Sequence, residues 1–201
     1  MLTIHADSRG RALAVEGEWI VAAGSLEELG VTHAHARVRR WPGILTPGLL
    51  NPHGTELLEE AYHPDPREAG ELGTEPLTGD ALAALAPDDA RWGASARRGV
   101  QRMLAHGTVA AACAPLANRA VRDAVRRTGL GVVGRLGRPA GTPSLDPYAS
   151  GLPVEFQPER ERGSAARFAV FDVRDEAELA ARGAGTCVAT VVAGRLVYRR
   201  R

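Results

Sequence analysis

Alternating apolar and polar residues dominate the first 50 positions of the chain. Residues 11–15 and 18–23 are two such runs on either side of a Glu-Gly pair, which favours a tight hairpin turn. Residues 25–30 carry the Ser-x-x-Glu pattern of a capped helical turn. Residues 37–41 resume the alternation, and residues 44–50 form a mostly apolar run that a Pro-Gly pair interrupts. The N-terminal part is therefore predicted to consist mainly of β-strands.

The middle of the chain changes to the spacing of helices. Small and apolar residues recur at helical intervals across 88–106 and 117–127, and a shorter helix is predicted at 79–85. Strand-like runs at 108–113 and 129–134 enclose the second of the longer helices. Strands that alternate with helices through short joins are typical of parallel α/β packing.

Strand patterns return at the C-terminal end. A strand is predicted at 166–173, a short helix at 175–181, and a hairpin formed by 186–193 and 195–199 around an Ala-Gly pair. Two stretches are rich in glycine and proline and are predicted to be loops: 61–80 and 135–165.

Composition narrows the possible chemistry. The chain has no lysine, so all 25 of its basic residues are arginine. This excludes Schiff-base catalysis, a phosphate-binding loop lysine and a carbamylated-lysine metal bridge. Abundant alanine and glycine with few isoleucines are typical of a bacterial gene rich in G and C. The two cysteines, Cys113 and Cys187, fit no metal or disulfide spacing and are predicted to be buried thiols.

Charge and hydropathy argue against nucleic-acid and membrane partners. The net charge is +1, and the only cluster of basic residues is the terminal arginine run 199–201, which we interpret as a solvated end. No apolar run approaches the roughly 20 residues that cross a bilayer, and the N-terminus has no signal-peptide pattern. We therefore expect a cytoplasmic protein.

Three segments carry a pattern that occurs in the same order in a known superfamily. Residues 46–56 read Thr-Pro-Gly-Leu-Leu-Asn-Pro-His-Gly-Thr-Glu, and residues 100–109 read Val-Gln-Arg-Met-Leu-Ala-His-Gly-Thr-Val. The third segment is residues 163–172, which read Gly-Ser-Ala-Ala-Arg-Phe-Ala-Val-Phe-Asp, and it is continued by residues 191–198, which read Val-Val-Ala-Gly-Arg-Leu-Val-Tyr. Together they resemble the amidohydrolase superfamily, most of all imidazolonepropionase and the aminofutalosine deaminases.

This resemblance implies an α/β fold of two parts. Residues 1–47 and 163–201 would form a composite β-sandwich, with strands from both termini. Residues 48–162 would be the remnant of a TIM-like barrel. A full (β/α)₈ barrel takes about 250 residues, so this segment has room for only two or three βα units.

The resemblance also indicates a candidate metal site. His53 falls on the first ligand position of the superfamily motif, but Thr55 holds the second, and no histidine follows Gly107. His53, Glu56 and His63 are the residues that could hold one zinc or iron ion. The metal is the alternative, and we expect that no cofactor binds: His53 then packs beside the strand end, and Glu56 belongs to a solvated helix face.

Other candidates have simpler structural explanations. His33 and His35 could chelate a metal from a strand, but surface histidines are the expected outcome. His106 is interpreted as a helix-end residue. Trp19 and Trp41 are predicted to lie in the core of the sandwich.

Three functions follow from these observations. We expect a non-catalytic scaffold or partner protein, because a truncated barrel leaves open strand edges that a homodimer or a larger protein partner would cover. The alternative is a minimal metal-dependent hydrolase of carbon–nitrogen bonds other than peptide bonds, completed by oligomerisation. The third is a small-molecule binding protein that uses a pocket near His53. The resemblance implies histidine degradation or futalosine-route menaquinone synthesis as the metabolic setting.

Overall fold

Hydrogen bonding between strands arranges the described part of the chain into three four-stranded sheets. The computed structural model describes residues 1–157 and 163–200. The fold class is mixed α/β, as predicted, and the described residues form no closed barrel. None of the described helices is long and apolar enough to cross a membrane.

The first sheet comes entirely from the N-terminal part, in the order β3-β2-β1-β4. Its strands are β1 (Leu2–Ala6), β2 (Arg11–Glu16), β3 (Trp19–Ser25) and β4 (Arg37–Arg40). The predicted hairpin between β2 and β3 is confirmed. Helix α1 (Leu26–Thr32) has the predicted capping box between Ser25 and Glu28, but it continues past Gly30, which does not end it.

The second sheet joins the two ends of the chain, in the order β12-β11-β10-β5. Its strands are β5 (Ile44–Pro47), β10 (Phe168–Phe171), β11 (Cys187–Val192) and β12 (Arg195–Arg199). Helix α7 (Glu176–Arg182) connects β10 to β11. Apolar side chains from both sheets form one shared core, including Leu13, Val15 and Ile20 from the first sheet and Leu45, Phe168, Val170 and Val191 from the second.

The third sheet is mostly parallel, in the order β8-β7-β6-β9. Strands β6 (Leu49–Asn51), β7 (Thr108–Cys113) and β8 (Gly131–Gly134) run parallel, and the short β9 (Glu155–Phe156) pairs antiparallel with β6. The predicted parallel strand–helix–strand unit is therefore confirmed.

Five helices connect the parallel strands. Between β6 and β7 lie α2 (Gly54–Leu58), α3 (Ala69–Leu72), α4 (Gly79–Leu85) and α5 (Asp89–Leu104), and α6 (Arg119–Thr128) joins β7 to β8. The Asp88 side chain accepts a hydrogen bond from the Arg91 backbone at the start of α5, and Gly107 turns the chain into β7 with a φ of +74°. The hydroxyl of Thr190 in β11 donates to the carbonyl of Leu104 at 2.6 Å, which holds the second sheet against α5.

Several sequence predictions need correction. Trp19 is 53% exposed in the edge strand β3, where it forms a β-bridge with Ala165, so only Trp41 of the two predicted core tryptophans is buried. The predicted loop 61–80 contains a 3₁₀ turn and α3, and the loop 135–165 contains β9. The predicted segments 48–162 and 163–201 include residues 158–162 and 201, which lie outside the described residues.

A buried histidine makes the stability of this core depend on pH. His5 in β1 accepts a hydrogen bond from the Trp41 indole at 3.2 Å and contacts Phe168 edge-on. Burial, together with the charge of Arg39, lowers the pKa of His5 from 6.5 to about 4. The unfolded chain therefore binds more protons than the native one between these values, so stability falls as the pH drops.

We expect the difference in unfolding free energy between the wild type and His5→Gln to be largest at neutral pH. It should decrease by about 3 kcal/mol as the pH falls from 6.5 to 4. Urea unfolding of both proteins across this range measures the difference. The pH dependence that His63 contributes drops out of the difference, because both proteins retain His63. A difference that does not change with pH would contradict the assignment of this titration to His5.

Candidate metal site

The three parallel strands of the third sheet end on one side of the molecule. Their last residues are Asn51, Cys113 and Gly134. In open parallel α/β sheets, ligands bind outside this edge. Two of the three predicted metal ligands, His53 and Glu56, follow β6 directly along the chain.

Helix α2 starts very close to β7 because its first residue has no side chain. A Cβ at Gly54 would lie 2.4 Å from the Cys113 Sγ and 2.8 Å from the carbonyl oxygen of Ala112. The hydroxyl of Thr55 then accepts a hydrogen bond from the backbone N–H of Ala114 at 3.0 Å. The residue at the second motif position thus anchors the end of β7 to α2.

The ring of His53 is buried and contacts a loop that crosses the strand ends. Its Nε2 donates to the carbonyl oxygen of Ala140 at 3.1 Å, since a carbonyl can only accept. Its backbone N–H donates to the Asn51 Oδ1 at 2.9 Å, and the Asn51 amide donates to the Ser144 carbonyl at 2.8 Å. Within the described residues, the His53 Nδ1 has no hydrogen-bond partner.

Glu56 is buried in an ion pair, so its interpretation as part of a solvated helix face is wrong. Its Oε1 lies 2.7 Å from Arg135 Nη2 and 3.5 Å from Arg138 Nε. Burial is the largest single effect and raises the pKa of the Glu56 carboxyl. The hydrogen bond from Arg135, a backbone hydrogen bond and the charges of Arg135 and Arg138 together hold this pKa below its usual value. Arg135 also donates to the carbonyl of Pro52 at 3.2 Å.

Residues 135–146, which we call the closing segment, connect these contacts. The segment leaves β8 at Gly134 and reaches the end of β6, where Ala140 meets His53 and Ser144 meets Asn51. Arg138 adds a salt bridge of 2.6 Å to Glu60. The polar side chains that follow β6 are therefore joined to this segment.

His63, the third predicted ligand, lies between α2 and α5. Its Nε2 is 2.8 Å from the Leu57 carbonyl, its backbone N–H donates to the Ser95 hydroxyl at 2.8 Å, and its carbonyl accepts from Arg98 at 2.8 Å. Burial lowers the pKa of His63, and the charges of Arg102 and Arg98 lower it further. A Cβ at Gly99 would lie 2.7 Å from its ring, so this helix is shaped around the histidine.

The structure does not bring the three predicted ligands together. In residues 1–157 and 163–200, no three histidine, cysteine, aspartate or glutamate side chains form a group that could hold a metal ion. His53 and Glu56 share the closing segment, whereas His63 belongs to the helical core. The arrangement does not fit a zinc ion with three protein ligands.

The side chains near the strand ends also offer little acid–base or nucleophilic chemistry. Burial raises the pKa of the Cys113 thiol to about 11, so it is neutral and a poor nucleophile. The lowered pKa of Glu56 makes its carboxylate a weak base near neutral pH. These groups are well suited to holding the closing segment in place.

A cleft of about 1340 Å³ lies beside the closing segment, between α2, α4 and the end of α5. Its lining includes five carboxylates, and four of them already have partners: Glu56, Glu59, Glu60 and Asp146. Glu59 accepts from the backbone of Ala117 and Asn118, and Asp146 accepts from Ala184. The cleft has room for a small molecule, but these contacts satisfy much of its negative charge.

Sequence analysis missed Asn51, Arg135 and Arg138. Arg135 lies 79 positions beyond Glu56, in a segment rich in glycine and proline, so no local pattern connects the two. The one available signal is physical, because a buried carboxylate requires a cation.

Comparison with known proteins gives partial structural likenesses only. No protein-family model matches the sequence. No curated protein matches it either. One solved structure with a partial likeness is an ochratoxinase from A. niger. It is 18% identical, with a TM-score of 0.46, and the match covers 66% of this chain and 31% of the ochratoxinase.

Two further solved structures give similar values. An adenosine deaminase from Xanthomonas campestris with bound zinc is 17% identical, with a TM-score of 0.45, and covers 66% of this chain and 32% of its own. The Helicobacter pylori aminofutalosine deaminase in complex with methylthio-coformycin is 14% identical, with a TM-score of 0.41, and covers 72% and 36%. This chain thus spans about a third of the length of these proteins. At these TM-scores the likenesses establish neither a shared fold nor a shared activity.

Replacing Arg135 tests the ion pair. We expect Arg135→Gln to lower the unfolding free energy by about 3–5 kcal/mol at neutral pH, because it removes the buried partner of the Glu56 carboxylate and leaves only the exposed Arg138 at 3.5 Å. The loss should become smaller in acid, where the carboxyl takes up a proton. Chemical denaturation at several pH values measures both effects.

Arg138→Gln is the matched control. It removes the second arginine beside the Glu56 carboxylate, an arginine whose side chain is 63% exposed. It should cost no more than about 1 kcal/mol. An equal loss of unfolding free energy in the two variants would contradict the interpretation that the buried Arg135–Glu56 pair stabilises the fold more than the exposed Arg138 does.

Proposed function

We propose that this chain is an amidohydrolase-like protein without hydrolytic activity that acts by binding another polypeptide chain. In this proposal, segments 1–47 and 163–201 form the composite β-sandwich, and segment 48–162 is the barrel remnant. We further propose that the protein works in the cytoplasm and needs no metal cofactor.

The contacts of the closing segment are the observation that carries the proposal. The Arg135–Glu56 pair and the His53–Ala140 hydrogen bond use the two candidate ligands that follow β6. A metal at this edge would have to compete with a buried ion pair, and breaking such a pair costs several kcal/mol. His63 is held apart by its contacts with α2 and α5.

Departures from the superfamily motif support the same conclusion. Thr55 stands at the second ligand position, and its hydroxyl is used by the Ala114 backbone. The sequence after Gly107 has no histidine that could supply a later ligand. The resemblance in sequence thus lies in the segments that form secondary structure more than in the metal-ligand positions.

A minimal metal-dependent hydrolase is the second candidate. It is favoured by two polar atoms, the Nδ1 of His53 and the Oε2 of Glu56, which are buried without hydrogen-bond partners within the described residues. Such atoms are uncommon in native proteins and call for an explanation. This candidate requires a further donor from outside the described contacts, such as a second subunit.

Metal content separates the two candidates. We expect protein purified without chelator or metal-affinity tag to contain zinc and iron only in trace amounts per chain. His53→Ala should contain the same trace amounts, because His53 holds the closing segment and not a metal. Elemental analysis by mass spectrometry measures both proteins.

Near-stoichiometric zinc or iron in the wild type, lost in His53→Ala, would overturn the proposal. Activity on cyclic amides or aminopurines would then be assayed with the metal-loaded wild type. A metal content that is high in both proteins would instead place the ion elsewhere and leave His53 in its structural role.

A further inference from the structure

An apolar groove lies between α6 and the open edge of the third sheet. It has a volume of about 720 Å³ and is lined mainly by apolar side chains, including Leu116, Val125, Leu130, Val132 and Leu136. Val132 is 54% exposed and Leu136 is fully exposed. Within the described residues, β8 pairs with β7 only, so its other edge is open.

The shape of this groove favours a helix as its occupant. Parallel strands are normally covered by helices on their faces. Helix α6 covers part of β7 and β8, and the groove runs along its far side, next to the last strand. A further helix placed there would bury the side chains of Val132 and Leu136, which are otherwise exposed to solvent.

Arginine side chains place positive charge along the α6 side of the groove. Helix α6 carries four arginines and one aspartate, and two of these arginines, Arg122 and Arg126, line the groove. Arg126 is 80% exposed, and its contact with Asp123 is a loose 3.7 Å. A helix with acidic flanks would therefore be attracted to this groove.

The same chain carries a helix of that kind. Segment 71–89 contains five acidic residues and no basic one, and all five are exposed: Glu71, Glu75, Asp80, Asp88 and Asp89. Helix α4 lies within this segment and has no buried residue. Its exposed side includes Ala81 and Ala84, whose small side chains allow close approach to a groove.

We propose that the partner is a second copy of this chain, and that helix α4 of each copy occupies the groove between α6 and β8 of the other. The result is a two-fold dimer with two identical groove–helix contacts. This inference rests on the proposed function, in which the chain acts by binding another polypeptide. It identifies both surfaces of the interface on one sequence.

Charge reversal tests the contact directly. Wild-type protein in analytical ultracentrifugation should be a dimer that dissociates as salt is added, because salt screens exposed charges. Arg126→Glu in the groove and Asp80→Arg in α4 should each raise the dimer Kd roughly tenfold or more, since each reverses two contacts per dimer. Arg37→Glu, on the distant strand β4, is the control and should leave the Kd unchanged.

Mixing the two variants gives the sharpest result. In a heterodimer, Glu at position 126 of one chain meets Arg at position 80 of the other, while the second contact is the natural one. Equimolar Arg126→Glu and Asp80→Arg should therefore recover the dimer that each lacks alone. Leu136→Asp should prevent dimerisation and should not be rescued by either, because the apolar contact is lost.

Three results would overturn the proposal: a wild type that is monomeric at every concentration, a dimer that none of these variants weakens, or variants that dissociate and do not recover on mixing. Each of these leaves the metal measurement unaffected, so a different partner protein would still be sought. Stoichiometric metal lost in His53→Ala would overturn the proposed function whatever the oligomeric state.

Discussion

A buried carboxylate needs a cation, and the pairing of Glu56 with Arg135 is the interaction on which this end of the molecule depends. The pair links α2, which follows the first parallel strand, to the first residue after the last one. From Arg135 the closing segment crosses the strand ends, where Ala140 meets His53 and Ser144 meets Asn51. One long-range ion pair thus determines how the ends of the strands are covered.

Because the closing segment covers the strand ends, a binding surface is more naturally sought elsewhere on the third sheet. The closing segment protects the edge at which ligands of parallel sheets bind, but it leaves the flank of the sheet open at β8. Exposed valine side chains and the arginines of α6 make this flank both apolar and positively charged. We therefore propose that binding occurs at this flank and that the side chains at the strand ends have a structural role.

Local patterns in the sequence predict most of the elements and few of the contacts between them. Helical periodicity and capping residues predict α5 and α6, and turn residues predict the hairpins, because these signals act over a few positions. The buried face of Glu56 and the exposure of Trp19 depend instead on which neighbour packs against them. Arg135 is 79 positions from its partner, so only the fold brings the two together.

The state of the His53 ring distinguishes a structural histidine from a metal ligand. Nitrogen NMR of ¹⁵N-labelled protein reports which ring nitrogen carries the proton and whether a metal binds it. We expect a proton on Nε2, which donates to the Ala140 carbonyl, and signals that do not change when one equivalent of zinc is added. A shift of the His53 ring nitrogens that saturates at one zinc per chain would contradict it.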